Sequence, residues 1–491
     1  MLQYLKQQAN VTLTENGAVT HLTTQSDCLD LFATIGALRS ADEKTITDRF
    51  IRAFAEDKDL ATRLLFYGRD VRGGLGERRV FRVILRWLAH NSKTTVIKNL
   101  HNIEEYGRFD DLLCLIGTPC EQEMMNYLKA QFDADLLGVE NEGKVSLLAK
   151  WLPSLNASAS QTVMNAKKIA KAFGLSFAEY RKALTKLRAH IKIIENNLRE
   201  KDYTFDYSKQ PSKAMFKYRD AFIRNDVERY TNFMYSVEKG EAKLHTSTLM
   251  PYEIVEGCLA NSSHTLKEMT DAEKQSVNVT WANLEDYGNS ENAIAVVDTS
   301  SSMYWNKGPY PASVAISLGI YFAERNTGLF KNHFIEFSDQ PCLIELKGDT
   351  FIDKLRYVLT FNRVANTNIE AVFNLILETA VVNNLPQSEM PTKIYLISDM
   401  EFDYCVENSA LTNFQNAKQN YEEMGYALPQ VIFWNVESRN TQQPVTKNEQ
   451  GAVLVSGCNP KLFSMVASGD INPYKFMLQV LNDPRYANIV A

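Results

Sequence analysis

The feature that most constrains this chain of 491 residues is a change of hydrophobic period in its second half. Up to about Thr270 the apolar residues recur at helical spacing, as in Tyr180, Leu184, Leu187, Ile191, Ile194 and Leu198. Ser or Thr followed three residues later by Glu predicts capping boxes at Ser40/Glu43, Thr118/Glu121 and Ser176/Glu179, and Pro119 suits a first helical position. Beyond Asn292 the pattern is different. Short β-rich runs, Ala293–Val297, His333–Phe337, Lys393–Ser398, Gln430–Val436 and Ala452–Ser456, are separated by helical stretches near Ala312–Arg325, Ile369–Val382 and Asn413–Met424. Strand and helix in alternation predict a mostly parallel sheet covered on both faces. The expected organisation is multidomain: an all-α, helical-repeat-like domain over residues 1–285 and an α/β domain over residues 286–491, with the boundary in the polar stretch Thr270–Asn292.

Charge divides the same way. The net charge is −6, but from Glu291 onward there are 14 Lys and Arg against 21 Asp and Glu, whereas Lys150 to Arg224 holds 16 basic and 6 acidic residues. A surface for polyanions is therefore expected in the first part and excluded from the second. The seven scattered cysteines form no CxxC pair, which argues against a zinc cage or a disulfide framework and for a reducing, cytoplasmic setting. No leader-like apolar segment opens the sequence, and no apolar run is long enough to span a membrane.

In a parallel sheet, ligands sit beyond the carboxyl ends of the strands, where the strand order reverses. The run "AIAVVDTSSSM" ends a strand on Asp298 and follows it with Ser300 and Ser302. "IYLISD" ends another on Asp399, and Thr367 in "NTNIE" precedes a helix whose loop would reach the same edge. Two carboxylates and three hydroxyls from three loops are hard oxygen donors suited to magnesium or manganese. Residues two apart in a tight turn face one side, so the two serines can share an ion. The alternative is that Asp298 and its serines only cap the following helix.

"DTSSS" resembles the DxSxS motif of von Willebrand factor A domains, the metal-ion-dependent adhesion site, with Thr367 and Asp399 at the family's later threonine and aspartate positions. The resemblance implies a Rossmann-like fold in which Ser300 and Ser302 ligate the metal directly, Thr367 does so directly or through water, and Asp298 and Asp399 act through water. It also implies an open position filled by an Asp or Glu of a protein partner. A helical module ahead of such a domain resembles TROVE-type proteins, the group of the Ro autoantigen, in which helical repeats of HEAT-like character bind noncoding RNA and RNA ends. The phrases "YGRDVRGGLGERRVFR", "YRKALTKLRAHIKIIE", "YSKQPSKAMFKYRDAF", "LMPYEIV" and "LISDMEFD" are more similar to a related family of plants, bacteria and viruses with the same two-part plan.

The residues themselves supply candidates for RNA. Arg69, Arg72, Arg78, Arg79, Arg82 and Arg86 surround a Gly-rich turn, where arginine forks and backbone amides could hold phosphate. Lys182, Lys186, Arg188 and Lys192 lie off the apolar stripe of their helix, and Lys213, Lys217 and Arg219 interleave with aromatic residues, as single-stranded RNA binding uses. The alternative for each stretch is a solvated helical face, and Gly73, Gly74 and Gly76 could simply permit a tight turn. No histidine pairs with an evident nucleophile, and Cys458 reads as a buried loop thiol. The expected function is a noncatalytic RNA-binding ribonucleoprotein scaffold with a magnesium-dependent partner site. The rivals are a protein-interaction adaptor without RNA and, third, a metal-dependent hydrolase.

Overall fold

The computed structural model describes residues 1–141, 143–191, 193–260, 265–288, 291–304, 310–338, 340–361, 368–403, 411–466 and 471–491. They form two compact units, one of Met1–Leu64 with Pro211–Arg485 and one of Leu65–Gln210 with Tyr486–Ala491. No helix among the described residues is long and apolar enough to cross a membrane.

The first unit is built on a six-stranded sheet. A small hairpin, β1 (Val11–Leu13) with β2 (Val19–His21), precedes it in the chain. The sheet strands are β3 (Ala293–Asp298), β4 (His333–Phe337), β5 (Cys342–Glu345), β6 (Lys393–Ser398), β7 (Gln430–Asn435) and β8 (Ala452–Ser456), in the order β5-β4-β3-β6-β7-β8. All neighbours run parallel except β5, which closes one edge antiparallel to β4. Every residue of β3 and β6 is buried, so these central strands read as continuous apolar runs rather than alternating ones. From β3 the chain moves outward to β4 and β5, then returns to lay β6 on the other side of β3. The order therefore reverses between β3 and β6, where Val297 pairs with Ile397 and the strand ends place Asp298 beside Ser398.

The helix Pro311–Arg325 packs on β3, β4 and β6 and is buried along nearly its whole length. Its contact with the sheet depends on Gly319, where an added Cβ would lie 2.4 Å from Val297 Cγ2. Its outer side is covered by Pro251–Cys258, and the neighbouring helix Asp271–Ala282 packs on Phe351–Val358. Trp281 there stacks on Phe351 at 3.9 Å and donates its indole N–H to Glu324 at 2.6 Å. Helices from before the period change thus form a layer over the sheet's own helices. The expected division at 285 marks a change of secondary-structure type, and the packing does not follow it. Residues Met1–Leu64 also belong with the sheet: Gly36 lies against the Ser456–Gly457 backbone, and Phe32 meets Phe476 edge-on.

The second unit is helical. Its helix Phe177–His190 starts with the expected box, Ser176 accepting from the Glu179 amide and Glu179 from the Ser176 amide. The other two expected boxes are corrected. Asp42, not Ser40, caps Glu43–Glu56, because Ser40 turns to the Glu437 carboxylate. Thr118 hydrogen-bonds back to the Leu115 carbonyl, so the helix starts later, at Glu121.

Candidate cation site and basic surfaces

Four of the five expected oxygen donors, Asp298, Ser300, Ser302 and Asp399, lie at the ends of β3 and β6. Asp298 ends β3 fully buried, its Oδ1 accepting the Ser300 amide at 2.9 Å and its Oδ2 the Ser398 hydroxyl at 2.6 Å. The turn after Asp298 brings the Ser300 and Ser302 hydroxyl oxygens to 3.1 Å from each other. Asp399, 3% exposed, follows β6. Its Oδ1 accepts the Glu401 amide at 3.2 Å and its Oδ2 accepts Arg439 at 2.9 Å. The loop turns sharply through Met400, whose φ of 68° lies in the left-handed region that side chains other than glycine avoid. Thr299 faces the buried Glu336 of β4 at 3.4 Å. Thr367 lies outside the described residues.

Burial raises the Asp298 carboxyl well above the usual range, the Asp399 charge adds to this, and the Ser398 and Ser300 hydrogen bonds oppose it. Asp399 is raised by burial and held back by Arg439. Asp298 has no cationic partner among the described residues. Among those residues no three His, Cys, Asp or Glu side chains converge as a metal cage. The donor set is instead mixed, two carboxylates and two hydroxyls, all hard oxygens. That chemistry fits a small divalent cation that keeps some of its waters.

Sequence reasoning missed Ser398, Arg439, Glu401 and Glu15. Glu401 accepts from Asn440 at 2.9 Å and from Gln442 at 2.8 Å on both oxygens. Only Ser398 carried a signal, standing at the strand end directly before Asp399.

The basic candidates divide sharply. Arg69 is 2% exposed and grips the fully buried Asp111, with Nε at 2.8 Å and Nη2 at 2.7 Å. Arg82 takes the other Asp111 oxygen at 2.6 Å and reaches Asp110 at 2.7 Å. Arg188 spans the Ala149 and Leu152 carbonyls and the Ser154 hydroxyl. Arg219, 7% exposed, binds the Phe216 and Gly257 carbonyls and lies 4.1 Å from the Phe216 ring. These four were expected on a polyanion surface. They are structural, because each guanidinium meets internal acceptors that would otherwise be left unpaired. The Gly-rich turn is likewise no phosphate nest. The amides of Arg72, Gly74, Leu75, Gly76 and Glu77 all donate to Asp70, Tyr67 or Gly68, and a Cβ at Gly74 would lie 2.0 Å from the Tyr67 carbonyl oxygen.

Other candidates face solvent. Arg72 pairs with Glu105, Arg78 stands 3.9 Å from Asp110, and Arg79 is exposed. Lys186 pairs with Glu140 and Lys213 with Glu253, while Lys182 and Lys217 are exposed, the latter 5.1 Å from the Tyr218 ring. Lys192 lies outside the described residues. Lys213, Lys217 and Arg219 fall in the first unit and the other basic candidates in the second, so the basic stretch is divided between the two. The sequence reading passed over one feature. An open groove of about 560 Å³ in the second unit is lined by Lys167, Lys168, Lys171, Leu175, Ser176 and Phe177. Phe177 is 50% exposed, and the Lys167 ammonium lies 6.0 Å from its ring.

A sheet with an oxygen-lined switch point, joined to a helical unit, is thus the class of protein that fold and site define. Residues 14–135 and 126–287 match a domain of unknown function, DUF2828, and the chain belongs to that family. Residues 292–473 match a second domain of unknown function, DUF7788. The uncharacterized protein L728 of Acanthamoeba polyphaga mimivirus is 29% identical over 513 residues, covering 96% of this chain and 87% of that one. Among solved structures, the Ro (RSR) protein of Deinococcus radiodurans is similar over 93% of each chain, at 13% identity and a TM-score of 0.34.

Proposed function

We propose that the chain is a noncatalytic binding protein whose sheet edge is an adhesion site of the von Willebrand A type. It holds one magnesium or manganese ion on Ser300 and Ser302, with Thr367 as a further ligand and Asp298 and Asp399 in support, and offers that ion to a carboxylate of a protein partner. The observation that carries this reading is the pair of serine hydroxyls 3.1 Å apart, set between two buried carboxylates at the point where strand order reverses. A bound divalent cation would supply positive charge beside Asp298, which has no cationic partner among the described residues, and draw in an anionic oxygen. Binding rather than catalysis is supported by the occupations of the carboxylates: Asp298 is tied to Ser398 and Asp399 to Arg439, which leaves neither poised as a general base. Calorimetric titration with magnesium tests the reading. Wild type should bind one ion and Asp298→Ala none; equal affinity in the two removes the idea.

A second, separate site for single-stranded RNA is supported by the groove around Phe177. An exposed ring with three flanking lysines offers stacking and phosphate contacts together. Together the two sites make a TROVE-like scaffold in a reducing compartment, the cytoplasm. RNA affinity should fall with salt by about 0.7 log units per phosphate contact per decade. A flat salt response would leave the cation-dependent adaptor as the whole function.

A further inference from the structure

Arg439 stands between two carboxylates. Its Nη2 lies 2.9 Å from Asp399 Oδ2 and 3.4 Å from Glu15 Oε2, while its Nε finds no hydrogen-bond partner among the described residues. Glu15 sits at the tip of the β1–β2 hairpin, and this tip is clamped to the loop that follows Asp399. Thr14 donates to the Phe402 carbonyl at 2.6 Å, the Glu15 amide to the Glu401 carboxylate at 3.0 Å, and the Asn16 side chain to the Glu401 carbonyl at 2.8 Å. Gly17 bridges to Asp403. Glu15 itself is fixed by the Asn440 amide at 2.7 Å, one residue beyond Arg439. The hairpin thus carries a second acceptor to the guanidinium and holds it in register with the cation site.

Asp399 is nearly inaccessible to water and Glu15 is half-exposed. A guanidinium on Asp399 therefore offsets a buried charge, whereas on Glu15 it offsets one that water already screens. A divalent cation arriving at Asp399 repels the guanidinium and satisfies the same carboxylate. The side chain then has a prepared partner one short swing away. Arginine suits this role because it stays charged and its several donors can be exchanged without rebuilding the loop.

We propose that Arg439 is an internal counter-ion which competes with the divalent cation for Asp399, and that Glu15 receives the guanidinium when the cation binds. This rests on the sheet edge being a cation site. The N-terminal hairpin is then a setting device for cation affinity, not only a cover.

Magnesium titrations of the full chain, by calorimetry and by thermal unfolding, test it with four proteins: wild type, Arg439→Gln, Arg439→Lys and Glu15→Gln. Removing the competing charge should tighten magnesium binding at least about tenfold in Arg439→Gln, since one opposite charge at this range shifts a carboxylate's affinity by about one to three decades. Arg439→Lys should stay near wild type. Glu15→Gln should bind about three- to tenfold more weakly, because the displaced guanidinium loses its receiver. Without magnesium, Arg439→Gln should melt below wild type and recover more than wild type does when the ion is added. Equal or weaker binding by Arg439→Gln, with wild type still binding, overturns the proposal and leaves the cation site standing. No binding by wild type or by any variant overturns both. If Arg439→Gln does not fold, Glu15→Gln decides, since its side chain is half in solvent: unchanged or tighter binding overturns the proposal.

Discussion

Buried aspartates in the two units are treated in opposite ways. Asp111 in the helical unit is fully buried and fully met: Arg69 and Arg82 take its oxygens, and the Arg108 amide adds a bond at 3.1 Å. Its neighbour Asp110 binds the outer parts of Arg82 and Arg108. At the sheet edge, Asp298 is equally buried but among the described residues is hydrogen-bonded by a hydroxyl and an amide and by no cation, and Asp399 shares one guanidinium with Glu15. A carboxylate that serves the fold carries its counter-charge with it. One left short of positive charge, beside loop hydroxyls, is what the proposed cation would meet.

Substitution at each place should have opposite signs. The largest effect is expected at Asp111. Its replacement by Ala strands a buried guanidinium and should cost about 3–5 kcal/mol in urea unfolding, with or without magnesium. A loss below about 1 kcal/mol would erase the contrast. Next comes loading of the sheet edge. Magnesium at about a hundred times its dissociation constant should stabilise wild type by about 2.7 kcal/mol. Asp298→Asn should gain nothing from magnesium and be at least as stable as wild type without it. An equal gain in both would place the ion elsewhere. A smaller effect is expected in the groove. Phe177→Ala should weaken single-stranded RNA by about 1–3 kcal/mol in fluorescence anisotropy, with no response to EDTA. Loss of RNA on chelation would merge the two sites. Smallest is the cap beside that groove, where Ser176→Ala should lower stability by about 1 kcal/mol in thermal unfolding and leave magnesium affinity alone.

The sheet was readable because its central strands are buried on both faces and therefore appear as unbroken apolar runs. β5 escaped because it is a four-residue edge strand with Leu343 exposed, and the hairpin strands are three residues each. Asp298, Ser300, Ser302 and Asp399 were legible because strand ends and turn spacing set their positions locally. Arg439 and Glu15 were not, since their meeting depends on a hairpin hundreds of residues away docking on the sheet's loops. Arg69 shows the same difficulty in reverse. Next to glycines and other arginines it resembles a phosphate ligand, and only the fold reveals Asp111 behind it, 42 residues on.

The split of the first unit along the chain has a consequence during synthesis. Gly36 donates its amide to Ser456, 420 residues later, and Thr14 finds Phe402 after 388. At about 5–20 residues per second, the ribosome needs roughly 20–80 s to deliver the strand on which the Gly36 segment rests. Through that interval Phe32, Ile35 and Leu38, all buried at the end, have no sheet to lie on. The helices of Leu65–Gln210 emerge meanwhile and can begin to pack among themselves. Nascent chains stalled before β8 should therefore hold their first 64 residues in a protease-sensitive, chaperone-accessible state.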